Sequence, residues 1–106
     1  MDIEIKKLAE EMRDYVVAMR REFHEHPEVS GKEFETRERL IRELDAMGVP
    51  YEKVPGTGLI AIIKGELPGD NKLLRADIDA LPLQEEAVNL KQPKVCVSQN
   101  AGACHA

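Results

Sequence analysis

The stretch LLRADIDALPLQEE, residues 73–86, sets Asp77 and Asp79 two residues apart behind a pair of leucines. If Leu73 and Leu74 open a buried strand, a side-chain period of two puts both carboxylates on one face. They would also stand at its C-terminal end, where α/β sheets place their ligand sites. Two carboxylates held there can bind a metal ion, orient a metal-bound histidine or share a proton. The alternative is structural: both acids cap a turn and face water.

Three further groups could carry chemistry. His24 and His26, in HEHPE, form an HxH pair that binds metal when it lies on a strand. At the end of a helix, however, residues i and i+2 diverge by about 200°, and histidines there serve the last carbonyls and the helix dipole. Cys104 and His105 are adjacent, so their side chains point apart, and a tail would give them little support. Glu85 and Glu86 follow Pro82 and read as solvated. No glycine-rich phosphate loop, GxSxG or CxxC occurs.

These residues need elements to position them. Ile5, Leu8, Met12, Tyr15, Val16, Met19 and Phe23 recur at helical spacing and predict a helix over residues 3–25, ended by Pro27. Ser30 and Glu33 have capping-box spacing and open a second helix, whose stripe is Phe34, Leu40, Ile41, Leu44 and Met47. Gly48 stands where a left-handed residue closes a helix, and Pro50 prevents continuation.

The period then changes. YEKVPGTG reads as a short extended piece and a turn. LIAIIKG reads as a strand covered on both faces, turn residues fill ELPGDN, and KLLRADID reads as the antiparallel partner strand. KVCVSQ is a weaker, edge-like strand. The expected fold is α/β, with two N-terminal helices packed on a mixed sheet.

Composition narrows the function. The chain has 106 residues, 42% of them apolar, which suffices for one domain with a modest core. Its formal net charge is −5 and its basic residues are dispersed, which argues against nucleic acid or an anionic membrane as partner. No run approaches the ~20 apolar residues that span a bilayer. The charged N-terminus is unlike a secretory leader, so the expected compartment is the cytoplasm, with Cys96 and Cys104 as free thiols.

At this point the sequence resembles a known family. RREFHEHPEVSGKEFETRERLIRELDAMGV is similar to the opening helices of the zinc-type amidohydrolases and carboxypeptidases of peptidase family M-twenty, which include aminoacylases, hippurate hydrolases and auxin-conjugate hydrolases. The family pattern there, R-R-x-h-H-x-x-P-E-h-S-x-x-E-x-x-T, is met by Arg20, Arg21, Phe23, His24, Pro27, Glu28, Val29, Ser30, Glu33 and Thr36. LRADIDALPLQEE resembles the family's Arg-Ala-Asp-hydrophobic-Asp-Ala-Leu-Pro strand. GACHA resembles the approach to a His-Ala-Cys-Gly-His-Asp block.

The resemblance implies an incomplete phosphorylase/hydrolase-like metallopeptidase catalytic domain. The complete enzyme would hold two divalent ions (zinc, manganese or cobalt) and hydrolyse the amide of N-acyl amino acids or small peptides, with a glutamate as general base. It implies that Asp79, with Asp77, orients the metal site. His105 and Ala106 align with the first two residues of the ligand block. The expectation is therefore that the ligands and base lie beyond Ala106, that no catalytic residue and no specific metal site belong to these residues alone, and that they are inactive by themselves. Exposed sheet edges and helix faces should then drive self-association. Two other readings stay open. One is a self-standing binding or regulatory module, or a subunit completed by a separate C-terminal chain. The other is a small metal-binding protein using Asp77, Asp79 and His105.

Overall fold

The structure is a computed structural model that describes residues 2–89 and 92–106. Helices α1 (Asp2–Glu11) and α2 (Arg13–Glu25) occupy the span predicted as one helix. They part at Met12, although Met12 N–H still donates to Leu8 O at 3.1 Å and Val16 N–H to Met12 O at 3.0 Å. Ile5, Leu8, Met12 and Val16 remain exposed, so the stripe of α1 lies uncovered.

Helix α3 (Phe34–Met47) begins four residues after Ser30. The expected Ser30–Glu33 capping box is absent; Glu33 makes no side-chain cap at the helix start. The cap comes from Glu28 instead. Its Oε1 accepts from Thr36 N–H at 2.6 Å and from Thr36 Oγ1 at 2.7 Å, and its Oε2 from Glu35 N–H at 3.3 Å. A carboxylate suits this end because the first-turn N–H groups and the helix dipole both favour negative charge. Glu33 is buried and accepts from Thr57 Oγ1 at 2.9 Å, which ties the helix start to the following turn.

The other end of α3 matches expectation. Gly48 is left-handed (φ 72°), its N–H donates to Asp45 O at 3.1 Å, and Val49 N–H donates to Leu44 O at 3.0 Å. This is the Schellman arrangement that satisfies the last carbonyls of a helix. Within the stripe, Ile41 is buried, whereas Phe34 and Met47 at its ends are exposed.

The strands differ from the sequence reading in their partners. β1 (Tyr51–Lys53) pairs with β2 (Leu59–Ala61) in an antiparallel hairpin with Glu52 opposite Ile60. The apolar run therefore turns back on the piece before it, not on KLLRADID. Residues 62–79 form no strand, and Leu73 and Leu74 are 88% and 98% exposed. A strand covered on both faces needs layers above and below it, and α1 to α3 do not supply them for this segment. β3 (Val88–Asn89) pairs antiparallel with β4 (Gln92–Pro93), and all of KVCVSQ, residues 94–99, lies outside any strand, so the expected edge strand is not formed there.

The chain is nonetheless α/β, and its pairing is mixed. Val29 bridges Ala80 in parallel, and Leu81 bridges Cys104 antiparallel. The small core sits around these bridges, with Pro27, Ala80, Ala103 and Cys104 all buried.

Candidate functional site

Three distant stretches meet at the bridges. The end of α2 supplies Arg20, Arg21 and His24. Ala80 N–H donates to Glu28 O at 2.8 Å, which anchors the DIDALP segment beside the turn after α2. Leu81 and Cys104 exchange backbone hydrogen bonds at 2.9 and 3.0 Å, which brings in the GACHA segment. Asn100 Nδ2 donates to Pro27 O at 2.7 Å and Gln99 N–H to Glu25 O at 2.8 Å, closing the third side.

Pro82 ends the bridge strand, and Leu83 N–H folds back onto Leu81 O at 2.9 Å. That tight turn directs Glu85 inward, contrary to its reading as a solvated acid. Its side chain is only 5% exposed. Oε1 accepts from Ser98 N–H at 2.9 Å. Oε2 accepts from Cys104 Sγ at 3.1 Å and pairs with His24 Nε2, while Lys94 Nζ lies 3.9 Å away. Burial pushes the Glu85 carboxyl up, but the donors from Cys104, Ser98 and His24 outweigh it and hold the group below the usual carboxylate range. The Cys104 thiol moves up, first through burial and then through the Glu85 carboxylate beside it.

His24 thus serves a carboxylate 61 residues further on, not the carbonyls at the end of its helix. His26 keeps the helix-end role: its backbone N–H donates to Glu22 O at 3.3 Å and its side chain stays largely in water.

Two adjoining spaces border this junction. A cleft of about 1100 Å³ is lined by Arg20, His24, Glu85, Cys104 and His105. A smaller cavity of about 270 Å³ shares Arg20, His24 and His105 with it and adds Asp77. Asp77 also pairs with Arg75 at 2.9 Å and is exposed. Asp79 lines neither space, yet its charge is felt at His105. Among the described residues, His105 Nε2 is buried without a hydrogen-bond partner. Burial lowers the His105 imidazole first, proximity to His24 adds to this, and Asp79 opposes it. Of the residues singled out in the sequence, Asp77, His24, Cys104 and His105 are brought together. Glu85 was missed, although it lies inside the same motif as the two aspartates.

The donors present suit a divalent cation. One nitrogen of His24, one oxygen of Glu85 and the sulfur of Cys104 all lie within 4.8 Å of one another. Imidazole, carboxylate and thiolate are zinc's preferred ligands.

The chain is α/β and sets these N, O and S donors where three of its segments meet. No family model matches the chain. It is 39% identical over 83 residues to thermostable carboxypeptidase 1 of Saccharolobus solfataricus, covering 76% of this chain and 21% of that protein. It is 36% identical over 104 residues to an N-acyl-L-amino acid amidohydrolase of Geobacillus stearothermophilus, covering 97% of this chain and 27% of that protein. The crystal structure of the Bacillus subtilis YXEP protein, a dinuclear metal binding peptidase, superposes with a TM-score of 0.77 at 40% identity, over 91% of this chain and 26% of that one. In sequence and in fold the chain is a homologue of the M20 amidohydrolases and peptidases. It spans about a fifth to a quarter of the length of these curated relatives. Among the described residues, no helix is long and apolar enough to cross a membrane.

Proposed function

We propose that this chain forms one wall of an M20-type metal-dependent amidohydrolase site that acts on the amide of N-acyl amino acids or small peptides. The observation that carries the reading is the convergence of HEHPE, DIDALPLQEE and GACHA on adjoining cavities that share His24 and His105. The divalent ions would polarise the amide carbonyl and activate water. The chain's own part is positioning. Asp79, with Asp77, orients the metal-site residues. His105 contributes a half-buried imidazole at the rim, its Nε2 shielded, and the Glu85 hub holds the three segments in register. Within the family we favour the branch of hippurate and auxin-conjugate hydrolases, which the DIDALP and GACHA stretches resemble. The free Cys96 and Cys104 suit a reducing compartment, the cytoplasm.

These residues alone are inactive in this reading. The test mixes the 106-residue chain with the part of the Geobacillus stearothermophilus amidohydrolase that it does not cover. Hydrolysis of N-acyl amino acids is followed with zinc, manganese or cobalt. Turnover is expected in the mixture and not from either piece. Turnover by the 106-residue chain alone overturns the inactivity. Co-purification with a separate native chain that completes the site would favour the subunit reading.

A further inference from the structure

The geometry points to a metal site of this chain's own: His24, Glu85 and Cys104 bind one zinc-class divalent ion facing the cleft. This departs from the expectation that these residues hold no ion specifically, and it does not rest on the hydrolytic reading.

The donors are of three kinds, N, O and S, which together favour zinc-class ions over magnesium or calcium. They are also dry. The side chains of His24 and Glu85 are 15% and 5% exposed, and Cys104 as a residue is 4% exposed. They come from three separate segments, each fixed by its backbone. His24 is on α2, Glu85 follows the Leu83–Leu81 turn, and Cys104 is clamped by its paired bonds to Leu81.

The arrangement of protons is the stronger argument. Ser98 N–H occupies Oε1 of Glu85, while His24 and Cys104 both converge on Oε2. Two groups aimed at one carboxylate oxygen mark a place where a single cation can replace the shared protons. A tetrahedral zinc ion spaces its ligand atoms roughly 3.3–3.6 Å apart, and Cys104 Sγ already stands 3.1 Å from Oε2. Small outward shifts of His24 and Cys104 complete the set. On binding, the Cys104 S–H proton leaves to solvent, the His24 imidazole gives up the Nε2 proton it directed at Glu85 and carries its one remaining proton on Nδ1, and Glu85 coordinates as the carboxylate. One thiolate and one carboxylate balance the two positive charges of the ion. Lys94, 3.9 Å from Oε2, has room to withdraw into water. The remaining coordination position opens onto the cleft that His105 also lines.

The experiment titrates the 106-residue chain, kept reduced, with Co²⁺ and then Zn²⁺ alone. One equivalent of Co²⁺ is expected, with a thiolate-to-cobalt charge-transfer band in the near ultraviolet that zinc removes. Cys104→Ser abolishes the band, Cys96→Ser keeps it, and Glu85→Gln weakens binding at least about tenfold. Absence of the band, its survival in Cys104→Ser, its loss in Cys96→Ser, or unchanged affinity in Glu85→Gln overturns the site. Should a variant lose its circular-dichroism signature, X-ray absorption of the wild-type zinc complex decides instead. One sulfur with nitrogen and oxygen neighbours is expected, and a shell without sulfur overturns the site. Neither readout depends on turnover, so this site and the hydrolytic function fail separately.

Discussion

Glu85 joins three segments through one buried carboxylate, and its removal should be felt in stability before anything else. Replacing it by Gln leaves the Cys104 and His24 groups facing an amide, and we expect a loss of about 1–3 kcal/mol by urea denaturation. The neighbouring Glu86→Gln, on an exposed side chain, should change stability by less than about 0.5 kcal/mol. Equal effects would show that the hub does not hold the fold. The pH profile follows from the same residues. Glu85 is held below its ordinary 4.5, so its contribution is present above that value and lost as pH falls through the lower folded value. His105 is lowered from its ordinary 6.5, chiefly by burial, so its contribution is also present above that value and lost as pH falls. Cys104 is raised from 9.0, so its contribution is present below that value and lost as pH rises. Thermal melts should therefore plateau between the ordinary values of His105 and Cys104, 6.5 and 9.0, and decline on both sides, with Glu85→Gln flattening the most acidic part. At this scale Asp77 drew notice by its spacing from Asp79, and His105 only through the resemblance of GACHA to a family block; the structure sets both on one cavity. Glu85 was not separable from Glu86, since adjacent acids look alike until a histidine 61 residues away selects one.

At the scale of elements, the caps carry the clearest predictions. Glu28→Ala should cost about 1 kcal/mol, the value of a lost N-cap, measured by chemical denaturation. Ser30→Ala should be near neutral; the reverse ranking would restore the capping box that the structure replaces. The helices and the Gly48 terminus were legible because their signals are local: a period, a glycine and a following proline. The Glu28 cap was not, because its carboxylate reaches Thr36 eight residues on, across a turn rather than within a capping box. Strand pairing was read less well. Apolar β-branched runs state that a segment wants cover, but not which neighbour supplies it, so LIAIIKG was paired with the segment after it instead of the one before.

Over the whole molecule, the exposed apolar residues dominate behaviour in solution. Ile63, Leu67, Leu73 and Leu74 are almost bare, and unpaired backbone runs beside them. Such surfaces recruit partners. We expect concentration-dependent self-association in analytical ultracentrifugation, reduced by Leu74→Lys; a compact monomer at every concentration would contradict this. The fold class was legible from the order of helices and strands, whereas the extent of bare surface was not, because composition alone does not say which apolar residues find a cover.

The most direct measurement is Asp79→Asn in the complemented amidohydrolase. If Asp79 orients the metal-site residues, kcat/KM for an N-acyl amino acid should fall by about 10–100-fold with the helical signature unchanged, while Asp70→Asn in an exposed irregular stretch leaves it intact. Full activity in Asp79→Asn, or an equal loss in Asp70→Asn, would contradict the placement of this chain beside a hydrolytic centre.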